Sequence, residues 1–553
     1  MNFDILIKGG TVVDGSASAG AYRADVGITG DTIEAVGDLR AAEAANVIDA
    51  HGKVVAPGFI DMHTHSDFAS LIAPTSDSKI LSGVTTEVIG QCGASAFPLR
   101  GEAYERSVST FLSSEDLRIT WHDVDGYLAE ARRLGCSVNR VPMVGHNAIR
   151  GSVMGYVDRS PSDAELAQMI REVEIALDRG VFGLSTGLIY PPGCFAKTDE
   201  IIALVEPLAR AGGLYVSHIR SEGSELERAV DEILDIHQRT GTRIHISHLK
   251  CSQRPNWTKI DWLKDRLFAA RDAGLDVTAD RYPYTASSTG LDTILPKWVY
   301  EGTLKDKLDR LSDAHTRERI RQEVLERLTA EDWHDTMVAS CEADENRRWE
   351  GMRLDEVARE MGLDPFDALC ELLIAETGRV QGIFFRMKEE NLEEILTWPF
   401  VMIGSDGASR NVEKARLTGK PHPRCYGTAT RVLGRYVREK GILSLETAVW
   451  KLSGFPARRL GLANRGLIAH NVIADVVVFD ADVVGDRATY EDPHRYSVGI
   501  EHVIVNGVPT VTNGEHTGAL AGRLLTRSAV RPRRSAAEAD HRTDMDGDAL
   551  GSH

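Results

Sequence analysis

Two histidines one residue apart close the run Pro57-Gly58-Phe59-Ile60-Asp61-Met62-His63-Thr64-His65. In a β-strand, side chains at i and i+2 share a face, so His63 and His65 project together from the strand's end, which is a metal-ligand spacing. Imidazole is the commonest neutral ligand for zinc-like metals, and a catalytic zinc keeps one position open for water. Alone, His-x-His is weak evidence; it gains weight if other strand ends supply further ligands. Val88-Ile89-Gly90-Gln91-Cys92-Gly93 sets a thiol between two glycines. As thiolate, Cys92 is a strong zinc ligand, although a single buried cysteine is more often an inert core residue. Val216-Ser217-His218-Ile219-Arg220 and Ile246-Ser247-His248-Leu249-Lys250 then repeat one pattern, Ser-His-apolar-basic, at two strand ends. Core packing does not account for such a repetition. His245, of opposite parity to His248, is expected to face away and to be structural. Val401-Met402-Ile403-Gly404-Ser405-Asp406-Gly407 delivers a carboxylate onto a glycine turn. The ordinary use of such an aspartate is to cap a helix or brace a loop. Beside histidines and a cysteine, it suits a metal-proximal general base.

These residues require a scaffold that gathers strand ends. Short apolar runs at Val84 to Ile89, Val141 to Val144, 183–185, 214–217, 244–247, 276–279 and 401–403 alternate with amphipathic helical stretches such as Asp163 to Arg179. That alternation is the signature of repeated βα units, and a (β/α)8 TIM barrel with its active face at the strand C-termini is the expected fold. Residues 1–55 and 461–525 carry short strands broken by Gly and Asp and are expected to form one small β-sandwich from both chain ends. The barrel is expected over 56–460. It includes an inserted helical segment at 290–350 over the mouth, in which residues 304–328 read as a charged helix. Residues 526–553 have little to bury and are expected to be a disordered tail.

The 553-residue chain has ordinary charged and hydrophobic fractions, 26% and 42%, so a soluble enzyme with a large core is expected. A formal net charge of -18 argues against a nucleic-acid binder, because phosphate neutralisation needs Lys and Arg. Seven scattered cysteines without CxxC pairs argue against a disulfide framework. With neither a secretory signal nor an apolar stretch approaching ~20 residues, a cytoplasmic location is expected.

The order of Pro57 to His65, Gly90-Gln91-Cys92-Gly93, Ser217 to Arg220, Ser247 to Lys250, Tyr282-Pro283-Tyr284, Gly404 to Gly407 and His422-Pro423-Arg424 resembles the amidohydrolase superfamily. Within it, the match is to the N-acyl-D-amino-acid deacylases and covers about residues 1 to 525. Many superfamily members bridge two metals with a carboxylated lysine, whereas this branch uses a cysteine, for which Cys92 is in place. The resemblance implies a tightly bound zinc on Cys92, His218 and His248, and a second, weaker metal position at His63 and His65. It further implies Asp406 as the acid/base, and Arg424, Lys250, Tyr282 and Ser288 as the grip on a substrate carboxylate, with Tyr190 and Arg220 as further candidates. One departure lies at 469–475, where relatives have a glycine-containing turn.

The expected reaction is zinc-dependent hydrolysis of an N-acyl-D-amino acid. D-stereospecificity rests on the resemblance alone. Leu291-Asp292-Thr293-Ile294-Leu295 stands where relatives selective for acidic residues place an extra cation, so a neutral, apolar side chain is expected. The competing readings are a peptidase acting on a D-residue, a cyclic amidase of dihydropyrimidinase type, and a catalytically inert barrel scaffold.

Overall fold

The computed structural model describes residues 2–16, 18–111, 117–412 and 419–527; most of the expected tail, 528–553, lies outside them. Eight parallel strands follow one another around a ring. They are Phe59–Asp61, Val84–Ile89, Asn139–Pro142 continued by Val144–Gly145, Gly183–Gly187, Leu214–His218, Arg243–Ile246, Val277–Arg281 and Val401–Ile403. Each pairs in parallel with the next. The ring closes where Met62 N donates to Ile403 O at 3.4 Å and Thr64 bridges Gly407 in parallel. Nearly every strand residue is buried, as in any all-parallel sheet covered on both faces, and this explains why the strands read as unbroken apolar runs. The third strand is interrupted at Met143, whose N donates to Ile89 O. A Cβ at Gly90 would lie 2.1 Å from Met143 O, so only glycine fits the turn leading to Cys92.

Both chain ends meet in one ten-stranded sheet, in which Val54–Pro57 pairs with Val476–Phe479. Alternation sets its two faces. Val55, Val476 and Val478 join an apolar cluster with Ile5, Ile7 and Ile28. Val54, Ala56, Val477 and Phe479 pack against Phe59 and Leu433 of the barrel. In the departure at 469–475, Asn471 adopts φ +63, a left-handed conformation that asparagine tolerates in place of glycine.

The segment between the seventh and eighth barrel strands exceeds the 290–350 stretch. Ser287–Gly290, Gln381–Phe384 and Thr336–Ser340 form an antiparallel sheet with Gln381–Phe384 central. Leu291, Val299, Leu311, Val324, Leu369 and Leu373 are among the residues of its own core. The helix expected over 304–328 is two, Leu304–Ser312 and Ala314–Leu325. Asp313 breaks it because its carboxylate accepts from Thr316 N at 2.8 Å and starts the second helix. Among the described residues no helix is long and apolar enough to cross a membrane.

Candidate metal centre and active site

The C-terminal ends of the strands converge on the Cys92 thiol. His63 Nε2 lies 3.3 Å from its Sγ, His248 Nε2 3.5 Å and His218 Nδ1 3.7 Å. The four residues follow the first, second, fifth and sixth strands, and all are buried. Zinc-sulfur and zinc-nitrogen bonds of about 2.3 and 2.0 Å place S and N about 3.5 Å apart on a tetrahedron. Each of these sulfur–nitrogen spacings fits two ligands of one such ion, and the donor atoms of His63, Cys92, His248 and Asp406 all lie within 4.8 Å of one another. Burial opposes ionisation of Cys92, yet the charges of His63 and His248 and hydrogen bonds from His218 and His248 hold its thiol well below the ordinary thiol range. A thiol poised as thiolate is what a soft metal requires.

Asp406 stands on the far side of His63, its Oδ1 3.5 Å from His63 Nε2 and 3.0 Å from His65 Nε2. The positions expected for two metals are thus contiguous, with His63 between Cys92 and Asp406. Arg424 Nη1 lies 2.7 Å from Asp406 Oδ2. Burial opposes ionisation of Asp406 as well, but Arg424, His248, the hydrogen bond from His65 and His63 keep it well below the usual carboxylate range. Cys92, His248 and Asp406 all have positive φ, +52, +35 and +53. Three non-glycine residues held in this sparsely populated region mark backbone strain concentrated at one site.

A cavity of about 640 Å3 opens over these groups and is lined by His65, Cys92, Tyr190, Ser288, Asp406 and Arg424 among others. Tyr190 Oη accepts from Thr289 Oγ1 at 3.1 Å and its ring lies edge-on to His218. Burial keeps its phenol protonated. Ser288 meets Arg424 through its carbonyl, which accepts from Nη2 at 3.0 Å. Tyr282 lies under the guanidinium, 4.8 Å from its ring centre. Lys250 is buried and donates to Glu222. Arg220 is turned away from the group: its guanidinium donates twice to Glu232, at 3.0 and 2.9 Å. Asp292 pairs with Lys307 at 2.9 Å inside the insertion and brings no negative charge to the cavity wall.

His245 does not face outward. Its Nε2 lies 2.9 Å from Asp280 Oδ2, and Asp280 in turn meets His63 Nδ1 at 3.2 Å and accepts from His248 N at 2.9 Å. His248 lies beyond the end of the strand Arg243–Ile246, at positive φ, so strand alternation does not relate the two side chains. Sequence reasoning also missed Asp280, Glu222 and Lys79. Lys79 Nζ donates to Asp61 Oδ2 at 2.8 Å, to Ser405 Oγ at 2.7 Å and to Gly407 O at 3.1 Å, tying the first strand's tip to the loop of Asp406. A carboxylate inside the buried strand Val277–Arg281 was the available signal for Asp280, since a fully buried acid needs cations around it. No spacing pointed to Glu222 or Lys79.

The amidohydrolase family pattern matches residues 46–254 and 391–511. The chain is 38% identical to D-aminoacylase of Alcaligenes xylosoxydans xylosoxydans over 96% of this chain and 98% of that one. It superposes with a TM-score of 0.80 and 34% identity on N-acyl-D-glutamate deacylase from Bordetella bronchiseptica, solved with zinc and a phosphonate mimic of the tetrahedral intermediate; 95% of this chain and 100% of that one are covered. A D-hydantoinase structure, at 16% identity and a TM-score of 0.54 over 95% and 98%, shares the fold.

Proposed function

The chain belongs to the amidohydrolase family, and from that premise we propose that it hydrolyses the amide bond of N-acyl-D-amino acids, releasing a carboxylate and a free D-amino acid. The observation that carries this reading is the Cys92 thiolate ringed by His63, His218 and His248 at 3.3–3.7 Å, with Asp406 and Arg424 beside it. Cys92, His218 and His248 would hold the principal zinc, and His63 and His65 would flank a second position. Zinc bound there would supply Lewis acidity and lower the pKa of water.

Asp406 takes the proton from the attacking water through its carboxylate and returns it to the departing amine, alternating as base and acid. Its depressed pKa keeps it ionised, the state that can accept a proton. Arg424 sits at the cavity wall with a planar fork that suits a substrate α-carboxylate, and Tyr282 beneath it fixes the plane. Lys250, held by Glu222, adds positive charge behind that pocket. Cys92 remains a ligand, so no covalent acyl-enzyme forms. Phe68, Leu99 and Ala103 in the same cavity support an apolar side chain or acyl group.

A linear substrate is favoured over a cyclic amide by the buried Arg424, whose charge has no counterpart on a neutral ring. One observation supports a second reading. The cavity volume is in the range that encloses drug-sized ligands, which leaves room for a peptide ending in a D-residue.

A screen of N-acetyl-D- and N-acetyl-L-amino acids, with Asp406→Asn as the inactive control, tests the proposal. Turnover confined to the D-series is expected. Absence of turnover on every D-substrate in zinc-loaded protein refutes it, and preference for N-acetyl-D-glutamate over N-acetyl-D-leucine refutes the apolar specificity. Faster release of D-leucine from a dipeptide than from N-acetyl-D-leucine would favour the peptidase reading.

A further inference from the structure

We propose that Glu222 is the positioning residue of the metal centre, a single carboxylate that orients His248 toward the ion by a hydrogen bond, faces His218 across a charge contact and holds Lys250 against them. The proposal rests on the zinc reading above. Glu222 lies on the loop after the fifth barrel strand, four residues beyond His218. Its Oε1 is 2.8 Å from His248 Nδ1 and 4.0 Å from His218 Nε2, and it accepts from Lys250 Nζ. The nitrogens turned to Cys92 are the opposite ones, His248 Nε2 and His218 Nδ1. Each ring therefore presents one nitrogen to the thiol and the other to Glu222.

This arrangement separates Glu222 from the ligand shell. An ion between Glu222 and the two rings would have to share both imidazoles with the ion at Cys92. As an acceptor behind the His248 ring, the carboxylate requires N–H on its outer nitrogen and so leaves the inner lone pair for the metal, the usual partnership of carboxylate, histidine and zinc. His218 Nε2 is buried without a hydrogen-bond partner of its own, and Glu222 is the acceptor that faces it. Lys250 sharpens the point. Its Nζ lies 2.9 Å from His248 Nδ1, and an ammonium bonded there would require a bare Nδ1. Glu222 accepts from both groups and so selects the Nδ1–H tautomer.

The test uses the full-length protein, stripped of metal and titrated with zinc against a chromogenic chelator. A parallel cobalt titration reads the thiolate-to-cobalt absorption. Glu222→Gln keeps the shape and removes the charge. Its zinc affinity is expected to fall about 10–100-fold, with an altered cobalt band and an unchanged circular dichroism spectrum. Glu222→Asp should recover part of the affinity. Wild-type zinc affinity and cobalt spectrum in folded Glu222→Gln would overturn the proposal; if that variant does not fold, wild-type affinity in Glu222→Asp would do so. No substrate enters these readouts. Inactivity of the wild type on N-acyl-D-amino acids would therefore sink the functional reading and leave this one standing.

Discussion

Asp406 illustrates how one residue combines demands that conflict in isolation. It must be ionised to take a proton, and it is buried, which opposes charge. Arg424 at 2.7 Å and the histidines around it resolve the conflict. Asp406→Asn keeps the size and loses the base, so kcat should fall by about 10²–10⁴-fold while bound zinc, measured by elemental analysis, is unchanged. Loss of zinc together with activity would instead make Asp406 a ligand in the main. Arg424→Lys keeps the charge and removes the fork. A rise in KM of about 10–100-fold, from one lost charge-assisted hydrogen bond of about 1.5–3 kcal/mol, should exceed the fall in kcat. At this scale the ligand types were legible at strand ends. Of the partners behind them, Asp280 left a trace as a carboxylate within a strand, whereas Glu222 and Lys79 left none, because no spacing marks which buried charges will meet.

Lys451 shows an element anchored at a cost. Its helix, Leu445–Leu452, lies against the strand Val401–Ile403, and its Nζ donates to Val401 O at 2.8 Å and Trp398 O at 2.5 Å. Burial lowers its pKa to about 7 from an ordinary value of 10.5. Between these values the unfolded chain binds more protons than the folded one, so this lysine's contribution to stability rises from pH 7 toward pH 10.5 and is lost as pH falls. Thermal midpoints at pH 7 and 9 should therefore differ more in the wild type than in Lys451→Met. The insertion offers a second test. Leu369→Ala opens a cavity in its core and should destabilise that body by about 2–5 kcal/mol. Because Ser288 and Gln381 of its sheet line the active cavity, proteolysis within the insertion should quicken and KM should rise. The barrel strands were readable from their buried apolar runs. The split at Asp313 was missed because charge periodicity continues across it and only the cap reveals it.

Over the whole molecule, an ion on Cys92, His218 and His248, as proposed, would join the second, fifth and sixth strands, with His63 of the first strand beside it. His63, Cys92, His218 and His248 come from positions spread over 186 residues of sequence, and zinc bound among them would stabilise the folded barrel by mass action. Chelation should lower the thermal midpoint by on the order of 5 °C, and zinc should restore it. An unchanged midpoint would mean that the folded protein does not bind the metal tightly. The same closure brings Thr64 beside Gly407, so the first and last barrel strands share the Lys79 network beneath Asp406.

Residue type and local period carried much of the assignment. A thiol, three histidines and an aspartate at the ends of buried runs imply metal-assisted hydrolysis wherever those ends converge, and the run of βα units implies a barrel that converges them. Both are short-range properties, set by side-chain chemistry and by the two-residue repeat of a strand. Tertiary structure alone decided which imidazole nitrogen faces the thiol, that Arg220 is consumed by Glu232, that His245 points inward to Asp280, and that Asp292 is neutralised away from the cavity. These depend on ring closure and on which opposite charges meet in a dry interior, where an unpaired group is too costly to keep.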